Sequence, residues 1–323
     1  MALREIKILD TIIKPGSRHR LNLNTANLYT STPVEIPVII NRAKLSGPVV
    51  LITAGIHGDE VNGVEIVRQI IAKKFNRPQR GTIICVPVLN IFGFLNSSRM
   101  FPDGRDLNRS FPGSKNGSLA SRFAYNITKE LIPHVDIVMD FHTGGAQRFN
   151  APQIRIDKNE TASVALANAF DPPFIVYSPN VSKTFRATCS RMKKNYILFE
   201  GGKSLDTDRN VMHEGVQGIL KVLEHLEMLD DSFVKPTGDR KVVYISKTRW
   251  VRASHSGLLH PKTKCGVFVE AGQLIATITD PYGSSRFKIK SPTSGYVINV
   301  NQSPLVYQGD AIFHISTDAK SEA

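Results

Sequence analysis

Five continuous apolar runs alternate with segments of helical period along this chain, and that alternation restricts the fold more than any other feature. The runs are "VVLITAGI" (49–56), "TIICVPVLN" (82–90), "VDIVMDF" (135–141), "PFIVYS" (173–178) and "NYILFE" (195–200). A strand that is apolar at every position is covered on both faces, as strands of a parallel sheet are. Between and after them lie "EVNGVEIVRQIIAKKF" (60–75), with Val61, Val64, Val67 and Ile71 at helical spacing, then "SLASRFAYNITKELIPH" (118–134), "ASVALANAF" (162–170), "SKTFRATCSRMKK" (182–194) and "MHEGVQGILKVLEHLEML" (212–229). Strand–helix alternation of this kind predicts an α/β class fold with helices on both faces of a sheet.

Two flanking regions have a different texture. The first ~40 residues alternate apolar and polar in "HRLNLNTANLY" and "VEIPVIINRA", the pattern of antiparallel strands. Beyond "DDSFVKPTGDRK" the chain offers only short β-like runs, "GVFVEAGQLIATI", "FKIKSPTSGYVINV" and "AIFHIS", punctuated by Gly and Pro. The expected division is therefore a catalytic domain over 1–238 and an all-β domain over 239–323. Within the second, "VEAGQLIATI" and "VYQGDAIFHI" echo each other, apolar, two residues, Gly, polar, then strand.

In open α/β sheets, sites form at the carboxyl ends of the strands. Three chemistry-bearing residues lie at such ends: His57 after "VVLITAGI", His142 after "DIVMDF" and Glu200 after "YILF". Glu60 follows His57 by three positions, where a turn entering a helix brings both side chains to one side. One imidazole and one carboxylate suit zinc, whose catalytic sites take three protein ligands and keep one position open. An isolated HxxE is short and common, and a loop His beside a Glu at a helix start explains it better. Gly55 and Gly58, on either side of His57, favour the ligand reading by leaving room for close approach. Asp140 precedes His142 by two residues on the same strand face and is a candidate to orient it. Glu200, at the end of an apolar run, should have a raised pKa and suits a general base. The loop "SSRMFPDGRDLNRSFPG" brings Arg99, Arg105, Asn108 and Arg109 together, side chains that recognise carboxylates and amide edges, with Phe101, Leu107 and Phe111 to anchor it inward.

Composition narrows the function class. Three scattered cysteines, Cys85, Cys189 and Cys265, make neither a disulfide framework nor a thiolate metal site, so any metal must use His and carboxylate ligands. No stretch approaches the ~20 apolar residues of a membrane span. The N-terminus lacks a signal-peptide core, which reads as a cytoplasmic protein. The formal charge of +13 is spread along the chain and no nucleic-acid-binding module accompanies it. The charge suits either focusing of an anionic small substrate into a cleft or a basic soluble surface, and a small-molecule partner is expected, with neither nucleic acid nor membrane. A homo-oligomer is compatible with the sequence, which does not fix the assembly.

"HGDE", "DLNRSFPG", "DFHTGG" and "FEGG", in this order and spacing, resemble the succinylglutamate desuccinylase/aspartoacylase family, which is related to the zinc carboxypeptidases. The resemblance covers roughly residues 45–230. It implies a three-layer α/β/α zinc-carboxypeptidase-like catalytic domain that binds one zinc through His57, Glu60 and His142. It also implies Glu200 as base, Asn108 and Arg109 as holders of a substrate carboxylate, and Arg99 as the group polarising the scissile carbonyl, with Arg105 its rival. Family members use a further Arg between the later His and the base for the acyl-group carboxylate; Arg186 and Arg191 compete for that role. The implied reaction is hydrolysis of the amide of a small N-acyl amino acid, and the alternative is a metallocarboxypeptidase acting on short peptides or peptide-like tails. The C-terminal region resembles the barrel-sandwich fold of biotinyl and lipoyl carriers. Pro-Thr-Ser-Gly stands at residues 292–295, where a carrier has its modified Lys, so a carrier role is not expected; a β-domain shaping the substrate entrance is. His255, His260 and Tyr282 are read as surface or packing residues.

Overall fold

A computed structural model of the chain describes residues 5–230 and 240–321. The expected domain boundary at 238/239 lies outside the described residues.

A ten-strand path forms the backbone of the molecule. In chain order its strands and the main helices are β1 (Arg18–Asn27), β2 (Pro33–Arg42), β3 (Leu45–Ala54), α1 (Val61–Ala72), β4 (Arg80–Val86), α2 (Leu119–Glu130), β5 (Ile137–Gly144) and β6 (Arg148–Ile156). They continue with α3 (Thr161–Phe170), β7 (Phe174–Tyr177), α4 (Phe185–Arg191), β8 (Asn195–Lys203), α5 (Arg209–His225), β9 (Thr248–Arg252), β10 (Gly257–Pro261), β11 (Leu274–Thr279), β12 (Arg286–Lys290), β13 (Gly295–Asn301) and β14 (Ala311–Ser316). The spatial order is β9-β14-β13-β6-β8-β5-β3-β4-β2-β1, with β7 pairing alongside the far half of β6.

The centre, β4-β3-β5-β8, is parallel, as continuous apolar runs require, while β1 and β2 pair antiparallel on the outside. Along β3 the pleat sends Val49 and Leu51 into one core and Val50, Ile52 and Ala54 into the other. The first core is closed by α2 and the Phe101–Phe123 pair, the second by α1, α3 and α5, so the sheet has helices on both faces. The buried stripe of α1 differs from the spacing read in the sequence: Gly63, Ile66, Val67 and Ile70 face inward, and Val64 and Ile71 are only partly buried. Gly63 sets that rotation, because a Cβ there would lie 2.6 Å from the Phe141 carbonyl oxygen. The helix therefore packs against backbone on its glycine face.

The C-terminal strands form a β-sandwich. β9, β14 and β13 make one layer; β12, β11 and β10 with Leu305–Val306 make the other. Val251, Ile275, Ile278, Val297, Phe313 and Ile315 are among the residues that fill the space between. This part is not simply tethered. β13 is hydrogen-bonded to β6 through Asn299–Asn150, Val300–Phe149 and Asn301–Arg148, which joins the sandwich to the central sheet as one continuous ladder. Pro152, which has no N–H to donate, falls between the stretch of β6 that pairs with β13 and the stretch that pairs with β7.

Candidate metal centre and active site

His142 and Glu200 are partners in the β5–β8 register, so both side chains emerge on one face of the sheet at its carboxyl end. The residues before them, Phe141 and Phe199, point to the opposite face and pack in tilted geometry against each other and Phe170, with ring centroids 5.3–6.4 Å apart. Aromatic pairs of this kind contribute about 0.5–1.5 kcal/mol each beyond their burial, and here they hold the two strand ends in register.

His57, Glu60 and His142 are buried and offer one ligand atom each, all within 4.8 Å of one another. Glu60 bridges the two imidazoles: Oε1 lies 2.7 Å from His57 Nδ1, and Oε2 lies 3.0 Å from His142 Nδ1. Oε2 also accepts the Thr143 backbone N–H at 3.1 Å. The outer nitrogens are held by two further carboxylates. Asp140 Oδ2 is 2.9 Å from His142 Nε2, and Asp106 Oδ1 is 3.1 Å from His57 Nε2. Asp140 is fixed in turn by the Tyr196 hydroxyl at 2.6 Å and the Thr53 hydroxyl at 2.7 Å. Arg99 donates to Asp106 Oδ2 at 2.8 and 3.2 Å and to Glu60 Oε1 at 3.3 Å.

The charges in this cluster ask for a cation. Burial opposes ionisation of Glu60 and Asp140, but the neighbouring imidazoles and hydrogen bonds outweigh it and hold both carboxyls below their ordinary range. Burial likewise pulls the imidazoles down, and Asp140 and Glu60 beside His142, and Glu60 and Asp106 beside His57, drive them up. Three carboxylates against the Arg99 guanidinium leave two positive charges missing when both imidazoles are neutral. A divalent metal held by His57 Nδ1, Glu60 and His142 Nδ1 fits that deficit and the nitrogen–oxygen donor set of zinc.

The cluster opens into a cavity of about 410 Å³. Of the sequence candidates, Arg99, Asn108, Arg109, Arg186 and Glu200 line it together with His57, Glu60 and His142. Arg105 and Arg191 do not: they line a neighbouring cavity, which Arg109 also borders. The Arg105 side chain is 59% exposed and pairs with Asp103 at 3.5 Å. Asn108 Oδ1 accepts the Phe185 N–H at 2.9 Å, tying the loop to the start of α4. Arg186 is buried, its guanidinium held by Asn180 and Ser178. Burial raises the Glu200 pKa, and the nearby Arg155 partly offsets it. Glu200 Oε2 accepts from Asn150 Nδ2 at 2.9 Å.

Several residues of the site were not read in the sequence. Asp106 sits unread inside "DLNR", although an acid two residues before Asn108 could have been taken for a turn cap, and its carboxylate does accept the Asn108 N–H. Arg148, Asn150 and Arg155 belong to β6, and Trp250, Asn299 and His314 to the C-terminal strands. His255 stacks on Phe287 and His260 meets Thr279, and both are exposed on the sandwich, away from the cavity.

The catalytic-domain profile of the succinylglutamate desuccinylase/aspartoacylase family matches residues 46–226, more than half of the chain. This chain belongs to that family. An N-alpha-acetyl-L-2,4-diaminobutyric acid deacetylase from Halomonas elongata is 30% identical over 263 residues, covering 76% of this chain and 75% of its own. Among solved structures, the fold matches a succinylglutamate desuccinylase/aspartoacylase from Rhodobacter sphaeroides with a TM-score of 0.81 at 24% identity, covering 94% of this chain and 97% of that one. It also matches the product-bound ectoine utilization protein EutE (DoeB) from Ruegeria pomeroyi, with a TM-score of 0.82 at 24% identity and coverage of 98% and 100%. The three-layer α/β/α fold with a C-terminal all-β part is thus that of the family. Among the described residues no helix is long and apolar enough to cross a membrane.

Proposed function

We propose that this chain is a zinc-dependent deacylase that hydrolyses the amide bond of a small N-acyl amino acid. The observation that carries the reading is a single cavity with the buried His57–Glu60–His142 cluster and the Glu200 carboxylate on its wall, and with arginines around both. Bound by His57, Glu60 and His142, zinc would supply Lewis acidity toward a water and a carbonyl oxygen.

The chain's own residues do the rest. Glu200 takes the proton of the attacking water and delivers it to the leaving nitrogen. Its Oε2 is engaged by Asn150, which leaves Oε1 to carry that proton. Arg99, locked between Asp106 and Glu60, stands beside the metal ligands and stabilises negative charge developing on the carbonyl oxygen. We assign that role to Arg99 over Arg105, which lies outside the cavity. Asn108 and Arg109 orient the substrate's carboxylate, and Arg186 rather than Arg191 faces the acyl side. The work falls to the region expected as a catalytic domain, residues 1–238, with residues 239–323 closing one side of the cavity through Trp250, Asn299 and His314. A volume of about 410 Å³ suits a small acyl amino acid better than a peptide.

The relative named for N-acetyl-2,4-diaminobutyrate sets the first compound to try. The experiment is a hydrolysis screen of N-acetyl and N-succinyl amino acids and short peptides against metal-stripped and zinc-loaded protein. Zinc-dependent release of a free amino acid is expected. Turnover that is unchanged after complete metal removal would overturn the zinc reading, and turnover of peptides alone would replace deacylase with carboxypeptidase.

A further inference from the structure

We propose that Asn150 and Asn299 are positioning residues for Glu200, so that the C-terminal sandwich helps to build the catalytic centre as well as bounding it. The inference rests on Glu200 as the base. An ionised carboxylate only accepts hydrogen bonds, so its neighbour must present a donor. Asn150 does so, with Nδ2 at 2.9 Å from Glu200 Oε2. A lone asparagine could turn its amide over and offer an oxygen instead. Asn299 removes that freedom: its Nδ2 donates to Asn150 Oδ1 at 2.6 Å, which leaves the Asn150 nitrogen facing Glu200.

The two asparagines are direct partners across the β13–β6 ladder, and both are buried at 4% exposure. The row continues outward. His314 partners Asn299 on β14, and Trp250 partners His314 on β9 with the two rings parallel at 4.2 Å. Asn299 is thus backed by a stacked pair from two further C-terminal strands. Burial holds the His314 imidazole neutral, at a pKa of about 4, so this buttress brings no positive charge to compete with Arg155 for Glu200. The hydrogen-bonded row therefore runs from Asn299 in the sandwich through Asn150 to the base, and it fixes one carboxylate oxygen while leaving the other for proton transfer. Positioning of this kind matters because small displacements of a catalytic group lose large factors in rate.

Asn299→Asp tests the polarity directly. It keeps the side chain's shape but removes the donor, so the Asn150 amide must turn and aim its oxygen at Glu200. With zinc-loaded protein and N-acetyl-2,4-diaminobutyrate, or the N-acetyl amino acid turned over fastest in the screen, kcat should fall roughly ten- to a hundredfold while KM and zinc content stay at the wild-type values. Asn299→Ala and Asn150→Ala, which add no charge, should each lower kcat in the same way, and they carry the test if the Asp variant does not fold. Wild-type kcat in all three, or a loss confined to KM, overturns the relay. Glu200→Gln, measured alongside, separates the two claims: if it is inactive and the asparagine variants are not, only the relay fails. If it keeps full kcat, the base assignment fails and takes the relay with it.

Discussion

Asp106 Oδ1 stands 3.1 Å from His57 Nε2, on the side of the ring opposite Glu60, while its other oxygen holds Arg99. One carboxylate therefore orients a metal-ligand candidate and a charge-stabilising candidate at once. Carboxylates behind ligating histidines fix ring orientation and raise ligand basicity, and losing one typically costs about 10–100-fold in metal affinity or activity. Asp106→Ala should weaken zinc binding by about that factor, measured by competition with a chromogenic chelator. Affinity equal to wild type would mean that Asp106 does not support the metal.

The arginines of the same loop should separate in the opposite way to their spacing in sequence. Arg99 is tied to Glu60 and Asp106, whereas Arg105 is exposed and turned to the neighbouring cavity. Arg99→Ala should lower kcat/KM by about 10²–10³, the loss seen when a donor to a developing oxyanion is removed. Arg105→Ala should stay within roughly twofold, as exposed substitutions do. Steady-state kinetics on both variants checks the assignment, and a reversed order would move the role to Arg105.

The site was legible in the sequence where chemistry coincides with strand ends. His57, His142 and Glu200 each close an apolar run, and Glu60 follows within a turn, so local pattern alone brings them to one edge of the sheet. The parallel centre and the antiparallel β1–β2 pair could be read for the same reason: period and apolar continuity are local properties. β6 could not. "RFNAPQIRI" contains a proline, which argues against a central strand, and only the change of neighbours from β13 to β7 around Pro152 makes room for it. Asn150, Arg155, Asn299 and His314 were lost with it, because their places depend on a pairing between segments about 150 residues apart. No local periodicity encodes such a contact.

Gly58 gives a stability prediction independent of the chemistry. A Cβ at this position would lie 1.8 Å from the carbonyl carbon of Gly93, backbone that cannot step aside. The Gly58 N–H is also bonded to the Ser98 carbonyl at 3.1 Å, so the loop carrying His57 is pressed against the segment leading to Arg99. Gly58→Ala should cost at least about 1–3 kcal/mol, the usual penalty of forced overpacking. In a chain of this size that lowers Tm by roughly 2–4 °C per kcal/mol. Thermal denaturation measures it, and a wild-type Tm would mean that the loop yields more easily than its backbone contacts indicate.

The acid limb of the pH–rate profile should report Glu200. A general base works only when ionised, so activity falls as pH drops through its pKa. Burial raises that pKa above the ordinary value of a glutamic acid, about 4.3, and the Arg155 guanidinium pulls it part of the way back. The sign follows for both forms. In the wild type the limb in kcat/KM should fall at a higher pH than an unperturbed glutamate would give. In Arg155→Gln the stabilising positive charge is gone, the carboxylate is harder to ionise, and the limb should move higher still. Among the described residues Arg155 forms no hydrogen bond or ion pair with His57, Glu60 or His142, so zinc content should be unaffected. A limb that stays in place in Arg155→Gln, with zinc retained, would show that a group other than Glu200 controls it.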